Sequence, residues 1–139
     1  GTPNIAGVIA SGAAFDFLSQ MSASGELKLA EDYEAELTRY VWARLSALPG
    51  IKLFGPAPEF RGPVFSFELK GVHAHDLATA LDLDGVCVRA GHHCAQPLMR
   101  SLSCSSASRA SFYFLSTVEE ADALIAALQS AATYFGGGR

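Results

Sequence analysis

Apolar side chains recur every three or four residues in the first third of the chain, a spacing that predicts two helices. Asn4 is suited to cap the first helix and Gly25 to end it. The second helix is expected from about Glu26 until Pro49 stops it. Its apolar face is predicted to consist of Tyr33, Leu37, Val41, Leu45 and Leu48.

Shorter apolar runs between turn-forming residues predict four strands, over 51–54, 64–69, 86–89 and 111–115. Three further helices are expected among and after them. Asp76 can cap a short helix that ends at Leu83, and another short helix is predicted from Pro97 to Leu102. Thr117 and Glu120 have the spacing of a capping box, which predicts the start of a last helix. The buried stripe of that helix is expected at Leu124, Ile125 and Leu128.

This mixture of strands and helices indicates an α/β fold of the two-layer α+β sandwich type, in which helices cover a mostly antiparallel sheet. The chain has 139 residues and shows no repeat or linker, so a single domain is predicted over residues 1–139. Half of the residues are apolar, which suffices for a hydrophobic core without disulfides.

Charge and hydropathy exclude several classes of function. Fourteen acidic residues oppose ten basic ones without any basic run, so no nucleic-acid partner is expected. Apolar stretches are interrupted well before the ~18–20 residues that a membrane span requires. The opening Gly1-Thr2-Pro3-Asn4 does not resemble a signal peptide and reads like the interior of a longer protein. The three cysteines are too sparse for a disulfide framework and fit a reducing compartment.

Cys94 is the candidate nucleophile among these cysteines. It follows the end of a predicted strand in the run Gly91-His92-His93-Cys94, with Arg89 five residues upstream. Nearby positive charge favours the nucleophilic thiolate, and Gly91 permits a sharp turn that can present the thiol. An ordinary structural cysteine is the alternative at this position. Cys87 is predicted to pack inside a strand, and Cys104, among serines in a loop, to be exposed or incidental.

Zinc binding is the main alternative interpretation. The side chains of His92, His93 and Cys94, with those of His73 and His75, could supply ligands to a zinc ion. However, adjacent residues of an extended loop point in opposite directions and cannot easily close one tetrahedral site. No metal site is therefore predicted.

Arg109 is the second residue of interest. It lies just before the predicted strand at 111–115, among small residues that leave room for a carboxylate. A guanidinium matches a carboxylate with two parallel hydrogen bonds. From its position alone, a surface arginine at a strand start is the more ordinary interpretation.

Several segments resemble the Suf-type (group II) cysteine desulfurases. The run Arg89-Ala90-Gly91-His92-His93-Cys94-Ala95-Gln96-Pro97-Leu98 is similar to the active-site loop of that family. The other matching segments, in order along the chain, are Gly1-Thr2-Pro3-Asn4, the helix from Ile5 to Leu18, His73-Ala74-His75-Asp76, Gly85-Val86-Cys87-Val88-Arg89, Ser108-Arg109-Ala110-Ser111-Phe112 and the helix start at Thr117.

The resemblance implies the small, C-terminal domain of a fold-type I enzyme that uses pyridoxal 5'-phosphate. Such enzymes convert L-cysteine to L-alanine and hold the sulfur as a cysteine persulfide for iron–sulfur cluster assembly. Cys94 would be the persulfide carrier, and Arg109 would bind the substrate carboxylate. Gly1 and Thr2 would reach the cofactor phosphate of a neighbouring subunit, which implies a homodimer. Arg89, His92 and His93 would shape the loop.

The resemblance also implies limits and alternatives. The Schiff-base lysine of the family belongs to a larger preceding domain, and Lys28, Lys52 and Lys70 do not match it. The chain alone is therefore expected to be inactive. The implied acceptor is a SufE-type or SufU-type protein in bacterial cytoplasm or plastid stroma. A selenocysteine lyase and a stand-alone sulfur-carrier module are the alternative functions.

Overall fold

The computed structural model describes residues 1–136, which form two compact units, Gly1–Tyr33 and a second unit that begins at Glu34. Its elements in chain order are α1 (Ile5–Ser24), α2 (Glu26–Ser46), β1 (Ile51–Phe54), a 3-10 turn (Pro58–Phe60), β2 (Val64–Leu69), α3 (Ala74–Leu83), β3 (Arg89–Gly91), α4 (Gln96–Ser101), β4 (Ala107–Ser111) and α5 (Val118–Gly136). Residues 137–139 lie outside the described part of the chain.

Helix α1 dominates the first unit and confirms its predicted ends. The side chain of Asn4 accepts a hydrogen bond from the Gly7 N–H at 3.0 Å, and Gly25 ends the helix in the left-handed conformation at φ 84°. None of its residues is buried, although its apolar side chains point in all directions around the axis. A helix of this composition is typical of one that other parts of a protein enclose.

The second unit contains one four-stranded antiparallel sheet with the strand order β1-β2-β4-β3. Successive side chains of a strand point to opposite faces. On one face Phe65, Phe67 and Leu69 of β2 are buried, together with Ser108 and Ala110 of β4. Helix α3 packs on this face, as the hydrogen bond from the Ser108 hydroxyl to the Ala74 carbonyl shows. The predicted mixed fold with an antiparallel sheet and helices is confirmed.

The opposite face of the sheet carries polar residues and only a small apolar cluster. Phe54 and Ala107 lie on this face and pack with Met99 of α4 and with Cys104. The side chain of Arg109 points to the same face as Ala107, because the two residues are two positions apart in β4. This face therefore remains partly open beside α4.

Most helix predictions are confirmed. In α2 the predicted apolar residues Leu37, Val41 and Leu45 are buried and Tyr33 is half-buried, whereas Leu48 lies beyond the end of the helix at Ser46. The capping box is present, since the Thr117 N–H donates to the Glu120 carboxylate at 3.0 Å and the Glu120 N–H donates to the Thr117 hydroxyl at 3.2 Å. The predicted stripe of Leu124, Ile125 and Leu128 in α5 is buried.

The last two predicted strands are misplaced. The third strand is Arg89–Gly91, not 86–89, and the fourth is Ala107–Ser111, not 111–115. Strand β4 pairs with β2 through small residues, which permit close approach of α3 but have low strand propensity. The aromatic run after it, which suggested a strand, forms a turn in which the Tyr113 N–H donates to the Ser116 hydroxyl at 3.1 Å. Pairing within the sheet thus overrides local propensity.

Two helix starts are also corrected. Helix α3 begins at Ala74 and is capped by His73, whose ring accepts a hydrogen bond from the His75 N–H at 3.3 Å, so the predicted cap Asp76 lies inside the helix. Helix α4 spans Gln96–Ser101, one residue earlier than predicted. Among residues 1–136, no helix combines the length and the apolar character needed to cross a membrane.

Leu81 and Leu83 provide a matched pair for testing this core, because both lie in α3 but Leu81 is 0% and Leu83 is 84% exposed. We expect Leu81→Ala to lower the free energy of unfolding by about 2–5 kcal/mol, since it leaves a cavity beneath the sheet. Leu83→Ala should change it by less than about 0.5 kcal/mol. Urea unfolding followed by circular dichroism measures both. Equal losses would contradict the assigned orientation of α3.

Candidate functional site

The loop that carries Cys94 connects β3 to α4 and has an unusual backbone. Gly91 has φ 120°, and the next turn places His93 at φ 53° and Cys94 at φ 56°. Two consecutive non-glycine residues in the left-handed region are uncommon, and each costs on the order of 1 kcal/mol or more. The Ala95 N–H donates to the His92 carbonyl at 2.9 Å, which closes the turn. The surrounding structure must therefore stabilise this conformation.

A side-chain hydrogen bond holds the loop against the sheet. The Nε2 atom of His93 lies 3.0 Å from the carbonyl oxygen of Ala107. Because a carbonyl oxygen can only accept, Nε2 carries the proton and donates it. Ala107 is buried and is the register partner of Gly91 at the end of the β3–β4 pair. His93 thereby ties the turn at Cys94 to the strand that carries Arg109.

The three cysteines have different environments. Cys94 and Cys87 are exposed, whereas Cys104 is buried. Burial, followed by the neighbouring Glu68, raises the pKa of the Cys104 thiol to about 11, and the thiol donates a hydrogen bond to the Ser106 carbonyl at 3.3 Å. Cys104 therefore stays protonated at neutral pH.

The surroundings of the other two cysteines differ from the predicted ones. Cys87 was predicted to pack inside a strand, but it precedes the true β3, and its thiol lies exposed with Asp82 Oδ1 at 3.5 Å. Cys104 was predicted to be exposed or incidental, but it fills the apolar cluster beneath α4. The shift of the third strand accounts for the exposure of Cys87. Cys104 lies in a loop as expected, and its burial comes from packing with Phe54, Met99 and Ala107.

Arg109 lies in the middle of β4 and not before a strand. Its register partners are Ser66 of β2 on one side and Arg89 of β3 on the other. The Nε atom of Arg109 is buried and has no hydrogen-bond partner in the described part of the chain. A buried, unpaired guanidinium N–H is costly unless an acceptor completes it. The arrangement is suited to binding an anion on the open face of the sheet.

A pair of stacked imidazole rings lies next to the loop. The ring centroids of His73 and His75 are 5.5 Å apart, and the His73 Nε2 lies 3.4 Å from the Ser106 hydroxyl. The His75 ring approaches Gly91, where a Cβ would lie 3.8 Å from its Nε2. Within residues 1–136, no three His, Cys, Asp or Glu side chains are placed to hold a metal ion. The side chain of His92 is exposed.

The remaining predicted site residues are Gly1 and Thr2, and two of the three lysines form ion pairs. Gly1 and Thr2 are exposed and belong to the first compact unit. Lys28 pairs with Asp32 in α2, and Lys52 of the edge strand β1 pairs with Glu68 at 3.6 Å. Strand β1 and the loop-bearing β3 are opposite edges of the sheet, so Lys52 lies far from Cys94 in the strand order.

The sequence alone could not identify the Ala107 carbonyl as a contact of the loop. A backbone acceptor has no residue-type signature, and its position became apparent only once the register of β3 and β4 was known. The same holds for Ser66, which stands beside Arg109 on a neighbouring strand.

Replacement of His93 tests whether its hydrogen bond to the Ala107 carbonyl stabilises the fold. We expect His93→Ala to lower the free energy of unfolding by about 1–3 kcal/mol, because the buried Ala107 carbonyl loses its donor. Alanine at position 93 needs the same left-handed backbone as histidine. The matched control is the exposed neighbour, and His92→Ala should change the free energy of unfolding by less than about 0.5 kcal/mol. His93→Gln, which retains a donor, should recover part of the loss. Denaturant unfolding measures the stability of all three variants. Equal losses in His93→Ala and His92→Ala would contradict a stabilising hydrogen bond from His93 to the Ala107 carbonyl.

Comparison with known proteins places the chain in a family. The model of the class-V aminotransferases matches residues 1–124. A probable cysteine desulfurase of Halalkalibacterium halodurans is 48% identical over 136 residues, which cover 98% of this chain and 32% of that protein.

Solved structures agree with this assignment. The cysteine desulfurase CsdA (S-sulfonic acid) of Escherichia coli is similar with a TM-score of 0.82 at 34% identity, over 96% of this chain and 32% of that one. The apo cysteine desulfurase of Thermococcus onnurineus gives a TM-score of 0.83 at 31% identity over the same shares. The chain thus spans about a third of the length of these relatives. On the strength of the family match over most of its length, the chain belongs to the class-V aminotransferase family.

Proposed function

We propose that this chain is the C-terminal small domain of a Suf-type (group II) cysteine desulfurase, in which Cys94 accepts sulfur from L-cysteine. One observation carries the proposal. The exposed thiol of Cys94 stands on a strained turn that His93 ties to β4, the strand in which Arg109 offers an unpaired guanidinium N–H. A nucleophile and a carboxylate ligand are thereby fixed to the same pair of strands.

The sulfur transfer is a simple exchange of bonds. The Cys94 thiolate attacks the sulfur of the substrate cysteine, and a new S–S bond forms as the C–S bond of the substrate breaks. The electron pair of that bond passes to the β-carbon, which takes up a proton to become the methyl group of alanine. Cys94 retains the sulfur as a persulfide. No external oxidant or reductant is required.

Arg109 is proposed to hold the α-carboxylate of the substrate. Its guanidinium can form two parallel hydrogen bonds with a carboxylate, and the low exposure of its Nε strengthens such bonds. Fixing the carboxylate fixes the distance from the substrate sulfur to Cys94, which must be about 3–3.5 Å for reaction.

The cofactor proposed for the complete enzyme is pyridoxal 5'-phosphate, which supplies the electron sink when bound. The residues of this chain do not by themselves fit it. Lys28 and Lys52 are engaged in ion pairs, and Lys70 follows β2, the strand next to β1 in the sheet order. We propose that the Schiff-base lysine comes from another part of the enzyme, because none of these three lysines lies on β3 or β4, the strands that carry the Cys94 loop and Arg109. Gly1 and Thr2 remain candidates for contact with the cofactor phosphate of a second subunit in a homodimer. We propose that the chain alone has no desulfurase activity.

The acceptor is proposed to be a SufE-type or SufU-type protein that takes the sulfur into iron–sulfur cluster assembly in bacterial cytoplasm or plastid stroma. The exposure of Cys94 supports direct transfer, because an acceptor thiol must reach its outer sulfur. The same exposure favours a second candidate function, a sulfur-carrier module that passes persulfide on without the cofactor.

Persulfide mapping tests the role of Cys94. The chain is treated with glutathione persulfide, alkylated and analysed by mass spectrometry. The attacking thiolate takes the outer sulfur and releases glutathione. We expect the sulfur on Cys94, with less on Cys87 and little on Cys104, because the raised pKa of Cys104 leaves almost no thiolate below pH 9. Labelling of Cys104 should rise only as the pH approaches its pKa of about 11.

Two serine variants serve as controls for this experiment. Cys94→Ser should abolish most of the persulfide, whereas Cys87→Ser, which removes the other exposed thiol, should leave the Cys94 signal unchanged. Persulfide distributed equally between Cys87 and Cys94 in the unsubstituted chain would contradict the proposed function. Transfer of the labelled sulfur to an added acceptor without cofactor would favour the carrier module.

A further inference from the structure

The layer formed by helices α3 and α5 is acidic. Residues 74–84 and 118–136, which cover both helices and the Asp84 cap, contain six acidic side chains and no Lys or Arg. The chain as a whole has fourteen acidic and ten basic residues, so eight acids and all ten bases lie in the other segments. One of the six acids, Asp122, is paired with Arg44 of α2 at 3.2 Å. Negative charge is therefore concentrated on these two helices.

A groove lies between the two helices. Its cavity measures about 420 Å³, which falls within the range of about 300–1,000 Å³ typical of binding clefts. The lining combines the small Ala80 and Ala131 with two large side chains that are mostly exposed, Leu83 at 84% and Tyr134 at 79%. Single exposed apolar residues are common on protein surfaces, but two that border one groove indicate a contact surface.

Two carboxylates, those of Asp76 and Asp84, belong to the same lining. No Lys or Arg lines the groove, and neither Asp takes part in the salt bridges found in residues 1–136. Asp76 precedes Ala80 by four residues and Leu83 by seven, so the three share one face of α3, and Asp84 directly follows Leu83. The groove therefore presents apolar surface flanked by negative charge that no salt bridge in the described part of the chain neutralises.

The sign of this charge limits the kind of partner that the groove can take. Nucleic acids and anionic membrane surfaces are negatively charged and would be repelled. A second copy of the chain in a symmetric face-to-face contact would bring the same patch against itself, with carboxylates opposite carboxylates. An apolar surface flanked by lysine or arginine, in contrast, complements both the hydrophobic lining and the charge.

We propose that the α3–α5 groove docks an amphipathic helix of a partner protein. The apolar side chains of that helix contact Leu83 and Tyr134, while its flanking Lys or Arg residues face Asp76 and Asp84. Helices bind in this way when apolar anchors at i, i+3, i+4 and i+7 enter a hydrophobic groove. This docking surface goes beyond the proposed function, because the groove contains none of the residues proposed for sulfur transfer.

Binding of a model peptide tests the groove directly. The probe is a fluorescein-labelled helical peptide of leucine, alanine and lysine, in which leucine forms one face and lysine flanks it. Titration with the chain, followed by fluorescence anisotropy, should give saturable binding that weakens as salt is added, because salt screens exposed charges. A peptide with glutamate in place of each lysine should not bind, since its charge has the same sign as that of the groove.

Substitutions locate the contact. Leu83→Ala, at an exposed position where the fold is expected to stay intact, should weaken binding roughly tenfold, because the peptide then buries less apolar surface. A variant with both Asp76→Asn and Asp84→Asn should weaken it about threefold or more through the loss of two exposed charge pairs. Glu59 and Phe60, an acidic and an apolar residue exposed in the 3-10 turn, provide the matched controls. Glu59→Gln and Phe60→Ala should bind like the unsubstituted chain.

Four results would overturn the proposal. The first is the absence of saturable binding. The second is an affinity that the groove variants and the control variants change to the same extent, which would reduce the effect to the net charge of the chain. The third is binding to the chain but not to a complete enzyme that contains it, because another part of the enzyme would then occupy the groove. The fourth is self-association of the chain that Leu83→Ala abolishes, which would assign the groove to a second copy. None of these results bears on persulfide formation on Cys94, which tests the proposed function separately.

Discussion

The pairing of β4 between β2 and β3 is the constraint on which the candidate site depends. Its buried small residues let α3 pack against one face, and this packing forces Arg109 towards the other. The same pairing places the Ala107 carbonyl where His93 can reach it. A shift of one residue in the register would turn every side chain of β4 to the wrong face. Core packing and site geometry are therefore set by the same hydrogen bonds.

The loop of Cys94 shows how a rigid sheet can support a strained turn. Left-handed conformations at His93 and Cys94 oppose folding, while the hydrogen bond of His93 and the packing of α4 on Phe54 and Ala107 favour it. The outcome is a thiol that is exposed yet held by a defined backbone. Cys104, ten residues further along the chain, is buried in the apolar cluster, and its thiol has a raised pKa. Environment, and not residue type, distinguishes the two thiols.

The sequence predicted what depends on local patterns. The caps at Asn4 and Thr117 and the buried stripes of α2 and α5 follow from spacing alone and are confirmed. The positions of β3 and β4 were wrong, because they depend on pairing partners distant in the chain and on small residues with low strand propensity. The error at Cys87 followed from this shift, whereas the burial of Cys104 depends on packing between segments distant in the chain. Cys94 and Arg109 were predicted from motifs, and their roles stay predictions, whereas the pairing of Arg89 with Arg109 required the register.

A crystal structure of the chain after treatment with a persulfide donor would test the central claim most directly. The account predicts density for one additional sulfur on the Sγ of Cys94, on a turn still bonded through His93 to the Ala107 carbonyl, with Arg89 and Arg109 on the face of the sheet that carries Ala107. Additional sulfur on Cys87 with none on Cys94, or arginine side chains on opposite faces, would contradict it.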